Sequence, residues 1–207
     1  EPKVQNRNGD VRNPNAKEKP ELTIHYAECH DNYTLADKLA ISLVNGHCQA
    51  DWKEYDEFSE SQKDLLRNQN KLAAAFVILA QGTPFINGGQ EFCRTKRGDE
   101  NSYISCDKVN QIDLSFKDKF CDVYDTYKGL ISLRKMNPAI FGANPFAKAE
   151  TLAHGVTKYT TENFCVYFNA TKWDYIIETY PYQFIVEVSS GIPTESTIQG
   201  KHAIPPM

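Results

Sequence analysis

The sequence predicts an α/β region followed by an all-β module. Three observations carry that expectation. Strand-like runs at 22–28 and 84–87 alternate with helical patterns that end near residues 80 and 136. The pattern over 65–80 is apolar nearly all round from Leu72 onward, which calls for burial against more than one neighbour. After about Phe146, short β-rich runs recur between turn residues every ten or so positions, the signal of an antiparallel sandwich.

The first strand is set by Leu22, Ile24 and Tyr26 alternating with Thr23, His25 and Ala27, and it is expected to run to Glu28. The stretch before it, to about residue 20, reads as a loop because Asn, Gly, Asp and Pro break any period. Where the alternation stops, Cys29-His30-Asp31-Asn32 follows. In a parallel α/β architecture, catalytic groups sit at the carboxyl ends of strands. An adjacent His and Asp there can reach one ligand from a rigid base, although Asp and Asn also end strands simply as turn formers. The next segment, 34–44, places Leu35, Leu39 and Leu43 on one helical face, and Asn45-Gly46 stops it with a left-handed cap.

Ser59 with Gln62 is a capping-box pattern opening the long apolar helix. After the turn Gln81-Gly82-Thr83-Pro84, the run Pro84–Asn87 reads as a short buried strand. Gly88-Gly89 then lets a loop approach a ligand closely. A polar excursion runs to Asp113, and a second amphipathic helix is expected from about Lys117 to Met136, ended by Asn137-Pro138. The β-rich runs are 156–160, 164–168, 175–177, 184–188 and 196–198.

The 207 residues suit one large or two small domains, and a net charge of −4 with 41% hydrophobic residues is ordinary for a soluble chain. No basic excess points to a nucleic-acid partner. No apolar run approaches the roughly 20 residues that span a bilayer, so no membrane partner is expected. The polar start, Glu1-Pro2-Lys3-Val4, lacks a signal-peptide profile, although a removed signal or a segment taken from mid-protein would read the same. The six cysteines include no CxxC pair, so no metal site is expected. Cys29, Cys121 and Cys165 lie in strand-like or helical runs and read as small hydrophobes. Reduced thiols favour a cytoplasmic location, with secreted or cell-surface as the alternative.

Several stretches closely resemble the C-terminal part of type I pullulanases, in the α-amylase superfamily of glycoside hydrolases. They are His25–Leu35 (HYAECHDNYTL), Asn70–Ala75, Gln81–Ile86, Gly89–Lys96 (GQEFCRTK), Gly98–Tyr103 (GDENSY), Asn110–Asp113 and Tyr127–Ile131. Together they cover about residues 21 to 140 in order and without a large gap. The resemblance implies the last two βα units, strands seven and eight, of a (β/α)8 barrel within residues 1–145. It implies a C-terminal antiparallel β-sandwich over 146–207, expected to lack its closing strand. A complete barrel takes about 250 residues, so barrel and sandwich cannot both fit.

Carried over, Asp31 is the third catalytic carboxylate, which holds ring hydroxyls and favours an oxocarbenium-like transition state, with His30 a donor beside it. Asn32, Asp107 and Gln111 take substrate-contact positions. The chain departs from the usual pattern at Ala36 (commonly Trp), Ile104 (commonly Asn) and Cys106 (commonly Pro), which leaves α-1,6 against α-1,4 preference open. The family's nucleophile and general acid follow strands four and five, and no stretch before Leu22 supplies them. Glu28 and Asp37 lack the family context for either role. The chain is therefore expected to be an inactive piece of an α-glucan debranching hydrolase acting on pullulan, starch or glycogen, whose partner is the remainder of the barrel. No cofactor is implied; calcium in the parent is left open, with no site identified. The alternative is a non-catalytic module that binds α-glucan or stabilises a partner chain.

Overall fold

The computed structural model describes residues 4–5, 11–12, 23–141, 148–160, 164–187, 191 and 194–206. The expected boundary at 145/146 lies outside them, as does Leu22. Where a loop was expected, β1 (Val4–Gln5) pairs antiparallel with β2 (Val11–Arg12).

The α/β region is built on one parallel pair. β3 (Ile24–His25) lies beside β4 (Thr83–Pro84), with Thr83 N–H donating to the Thr23 carbonyl at 2.9 Å and Phe85 N–H to that of His25 at 2.8 Å. Between those two bonds sits Pro84, which has no N–H to offer on the strand's other side. Both strands are shorter than the sequence suggests. β3 stops before Glu28, which lies in the bend beyond it, and Phe85 is 43% exposed rather than buried. Ile24 and Tyr26 are also exposed, so the apolar face of this pair is uncovered within the chain.

Three longer helices supply most of the core of this region. In α1 (Leu35–Leu43), Thr34 caps the start by accepting the Asp37 N–H at 3.1 Å. Its buried stripe is Leu35, Ala36, Asp37, Ala40 and Ile41, while Leu39 and Leu43 are only half-buried. It ends in a Schellman motif: Gly46 N–H bonds the Ile41 carbonyl and Asn45 N–H that of Ser42. Asn45 takes the left-handed conformation, φ 54°. Gly46 serves space instead, since a Cβ there would meet Asp51 Cβ at 2.3 Å.

The expected capping box opens α2 (Glu60–Ile78), with Ser59 and Gln62 bonding reciprocally. α2 buries Leu66, Leu72, Ala74, Val77 and Ile78 between α1 and α5 (Cys121–Met136). α3 (Asp107–Asn110) and α4 (Phe116–Lys119) are single turns. The helix expected from Lys117 is therefore two: Phe120 (φ −116°, ψ 38°) leaves helical geometry and turns into the core, edge-on to Tyr55 at 4.7 Å. The α5 stripe is otherwise as expected, with Val123, Tyr127 and Leu130 buried. α6 (Pro138–Phe141) follows. Arg134 ties these pieces together, donating to the carbonyls of Ile78, Ala80 and Gly82 at 2.6 Å each and of Phe141 at 3.0 Å.

The β-rich part forms two small antiparallel sheets. One orders β5 (Lys148–Ala153), β6 (Val156–Thr160) and β7 (Cys165–Asn169); the other pairs β8 (Tyr175–Glu187) with β9 (Thr194–Ile204). The two runs expected at 175–177 and 184–188 are one strand, whose register shifts between Thr179 and Gln183 around Pro181. β7 packs on the helices: Phe168 stacks on Phe76 of α2 at 4.0 Å, and Phe164 meets Phe141 edge-on at 5.2 Å.

Candidate functional site

The carboxyl end of β3 carries the His-Asp-Asn cluster. Asn32 sits at φ 66°, in the left-handed region that Asn tolerates better than most residues. That turn reverses the chain into the Thr34 cap, leaving His30 and Asp31 at the apex. His30 Nδ1 lies 3.1 Å from Asp31 Oδ1, and the two side chains are 85% and 78% exposed. The pair is open to a ligand and held from below by its backbone.

What holds it comes from Glu28 and Asp37, the two acidic residues to which the sequence assigns no catalytic role. Glu28 is 1% exposed. It accepts the Leu35 N–H at the first position of α1, and Asn87 Nδ2 at 2.9 Å from beyond β4. Burial pushes its carboxyl above the ordinary range, against the lowering effect of those bonds and of Lys38. Asp37, wholly buried, accepts the Lys96 N–H at 2.8 Å and the Thr95 hydroxyl. Lys96 in turn donates from Nζ to the His30 carbonyl at 3.1 Å. The loop after β4 is thus bolted to the loop after β3. Both acidic groups are engaged inside the fold, so neither presents a carboxylate to a substrate.

The second loop is braced in the same manner. Gly89 has φ 97°, and a Cβ there would meet the Arg94 side chain at 2.7 Å. The space that the sequence assigns to a ligand at this glycine is therefore filled by Arg94; Gly88 is the exposed one. Arg94 donates to the carbonyls of Gly88 and Asn110. Gln90, Tyr127 and Asn70 form a buried relay of two 2.9 Å bonds that pins this segment to α5 and α2. Asp107 and Gln111 stand at the two ends of α3, joined by the Gln111 N–H to Asp107 carbonyl bond of 2.7 Å, with both side chains exposed. The structure joins His30 to Asp31 by direct contact; Asp107 and Gln111 connect to them only through the braced loop. Among the described residues no cluster of His, Cys, Asp or Glu is arranged to hold a metal, and no helix is long and apolar enough to cross a membrane.

All six cysteines are free. The expectation that Cys29, Cys121 and Cys165 act as small hydrophobes is corrected: Cys121 and Cys165 are exposed and Cys29 is half-exposed. The buried thiol is Cys93, beside Asn70 Nδ2 at 3.5 Å.

This arrangement can bind hydroxyls and stabilise developing positive charge, because an exposed carboxylate with an imidazole beside it stands on a braced base. No family model matches the chain. The pullulanase of Bacillus subtilis (strain 168) is 42% identical over 120 residues, covering 58% of this chain and 15% of that protein. The chain is similar to pullulanases in sequence and in structure. An isoamylase from a Flavobacterium species is 31% identical over 142 residues, 64% of this chain and 18% of its own length. In structure, the chain aligns over 91% of its length with a pullulanase from Anoxybacillus sp. LM18-11 complexed with maltotetraose, at TM-score 0.71 and 29% identity. It spans 27% of that solved chain and well under a third of each curated relative named above. The pullulanase likeness thus covers the helical and the β-rich portions together.

Proposed function

We propose that this chain is the C-terminal part of a pullulanase-like debranching enzyme that hydrolyses α-1,6-glucosidic bonds with retention. In this reading β3 and β4 are strands seven and eight of a (β/α)8 barrel, and β5–β9 belong to a sandwich. Domains of 1–145 and 146–207 follow. Asp31 binds hydroxyls of the distorted ring and stabilises its positive charge, His30 donates beside it, and Asn32, Asp107 and Gln111 contact neighbouring sugars. The carboxylate nucleophile and general acid come from the rest of the barrel, which is the chain's partner. The six free thiols support a cytoplasmic setting over a secreted one.

The observation that carries the reading is the exposed His30–Asp31 pair at the carboxyl end of a strand paired in parallel. Glu28 and Asp37 are withdrawn into bracing, which leaves Asp31 as the accessible carboxylate of its loop. The test uses the chain joined to the remainder of its barrel. Asp31→Ala should lower kcat by roughly a hundredfold or more while KM moves only a few-fold, because the interaction strengthens in the transition state. A kcat within a few-fold of normal would sink the assignment. The chain alone should release no reducing sugar from pullulan. If the joined protein binds pullulan without cleaving it, the non-catalytic binding module is the correct reading.

A further inference from the structure

We propose that Trp173 forms a second α-glucan contact on the β-rich module, away from the His30–Asp31 pair. The inference rests on the α-glucan reading above.

Trp173 lies in the turn between β7 and β8 and is 77% exposed. Leaving an indole in water forgoes one of the largest apolar burials a side chain can supply. Its backbone, by contrast, is held by hydrogen bonds on both sides. Asn169, 1% exposed, donates from Nδ2 to the Trp173 carbonyl at 2.8 Å and to the Ile204 carbonyl of β9 at 2.9 Å. Its Oδ1 accepts from the Thr171 N–H at 3.1 Å and the Thr171 hydroxyl at 2.7 Å. Thr171 Oγ1 also accepts the Trp173 N–H at 3.2 Å. From the other side, Ala170 N–H donates to the Gly155 carbonyl at 2.8 Å, and Gly155 (φ 78°) lies so close that a Cβ there would meet Thr171 Cγ2 at 3.1 Å. β7, β9 and the turn between β5 and β6 therefore fix the corner from which the indole projects. A side chain presented this way loses little further freedom on binding, which is the condition for an effective anchor.

The surroundings select the ligand. Lys172 and Asp174 flank the indole, both exposed and opposite in charge, so the local balance is neutral. An anionic polymer would need a basic excess, and an apolar protein face would need apolar neighbours on both sides of the anchor. A pyranose ring has a C–H face to lay on a flat aromatic and hydroxyls around its rim for an ammonium and a carboxylate. An α-glucan chain meets both requirements. A site here would hold the polymer while the catalytic cleft works on a branch.

The experiment uses the chain joined to the rest of its barrel and two probes, glycogen and a short branched malto-oligosaccharide. Retardation in a glycogen-containing native gel should weaken roughly tenfold in Trp173→Ala, a loss equal to about 1.4 kcal/mol, and return in Trp173→Tyr. Turnover of the short substrate should be unchanged in both variants. Equal retardation of wild type and Trp173→Ala overturns the proposal. So does an indole that acrylamide cannot quench, since another part of the protein would then cover it. If the joined protein cleaves neither probe, the debranching reading fails, while Trp173-dependent retardation still upholds this site.

Discussion

Asp37 offers the sharpest test of the bracing that positions the His30–Asp31 pair. Its carboxylate is wholly buried and accepts two donors from the loop after β4, the Lys96 N–H at 2.8 Å and the Thr95 hydroxyl. Bonds to a charged acceptor contribute about 1.5–3 kcal/mol each, and Asp37→Ala strands both donors. Its place in the first turn of α1 adds about 0.3–1 kcal/mol through the helix dipole. Relief of the carboxylate's own desolvation offsets part of the loss. The net expectation is a destabilisation of roughly 2–4 kcal/mol, a large share of the ~5–15 kcal/mol that holds a typical domain. Asp37→Asn keeps one acceptor oxygen and should recover about half of that. The assay is urea unfolding of the chain joined to the rest of the proposed barrel, together with hydrogen exchange at the Lys96 amide. Because Lys96 Nζ holds the His30 carbonyl, the same variant should also lower kcat. A cost below about 1 kcal/mol, or a Lys96 amide protected as in wild type, would refute the reasoning.

Glu28 provides a pH test. Burial raises its carboxyl, so the native state holds the proton more tightly than the unfolded chain. Its contribution is complete below the ordinary carboxylate range and is lost as pH rises through the raised value. As pH rises from the ordinary carboxylate range, wild-type Tm should therefore fall relative to Glu28→Gln; parallel Tm curves would exclude a raised carboxyl. The thiols give a third prediction: six should titrate in denaturant without reductant, and in the native protein Cys93 should react last, because burial pushes its thiol up. A denatured count of four or fewer would establish a disulfide. Finally, the 207-residue chain alone should self-associate in sedimentation, with rapid exchange along β3 and β4, since their apolar face is uncovered. A compact monomer with protected strands would contradict that.

What was legible in the sequence is what is local. The Ser59–Gln62 box and the left-handed Asn45 involve residues a few positions apart, and both appear as read. The His30–Asp31 pair was legible because both groups are adjacent and follow an alternating run. The braces were not. Glu28 meets Asn87 from 59 positions away and Asp37 meets Lys96 from the same separation, so no short window contains both partners. The runs at 175–177 and 184–188 read as two strands but form one, because Pro181 is tolerated where the register already shifts. β5 was missed since its Lys-Ala-Glu-Thr-Leu-Ala sequence is almost wholly exposed and becomes a strand only by pairing with β6. The split at Phe120 had no local signal either: a phenylalanine that fits the helical stripe leaves the helix to fill the core beside Tyr55.

These two kinds of interaction divide the molecule in a way that bears on its function. The helical layer is closed by its own residues, from Ala74 and Val123, both wholly buried, to the Asn70–Tyr127–Gln90 relay. The sheet layer is not: Ile24 and Tyr26 remain 64% and 58% exposed, and Tyr26 meets only Phe85 edge-on at 6.1 Å. The loops that present His30 and Asp31 are fixed by Glu28, Asp37, Asn87 and Lys96, all on the closed side of that division. Additional strands laid against the open face would cover Ile24 and Tyr26 without disturbing any of those bonds. The bonds that hold the His30–Asp31 loop therefore do not depend on what covers that face. Covering that face would add stability to β3 and β4, while the bonds to Glu28, Asp37 and Lys96 would stay as they are.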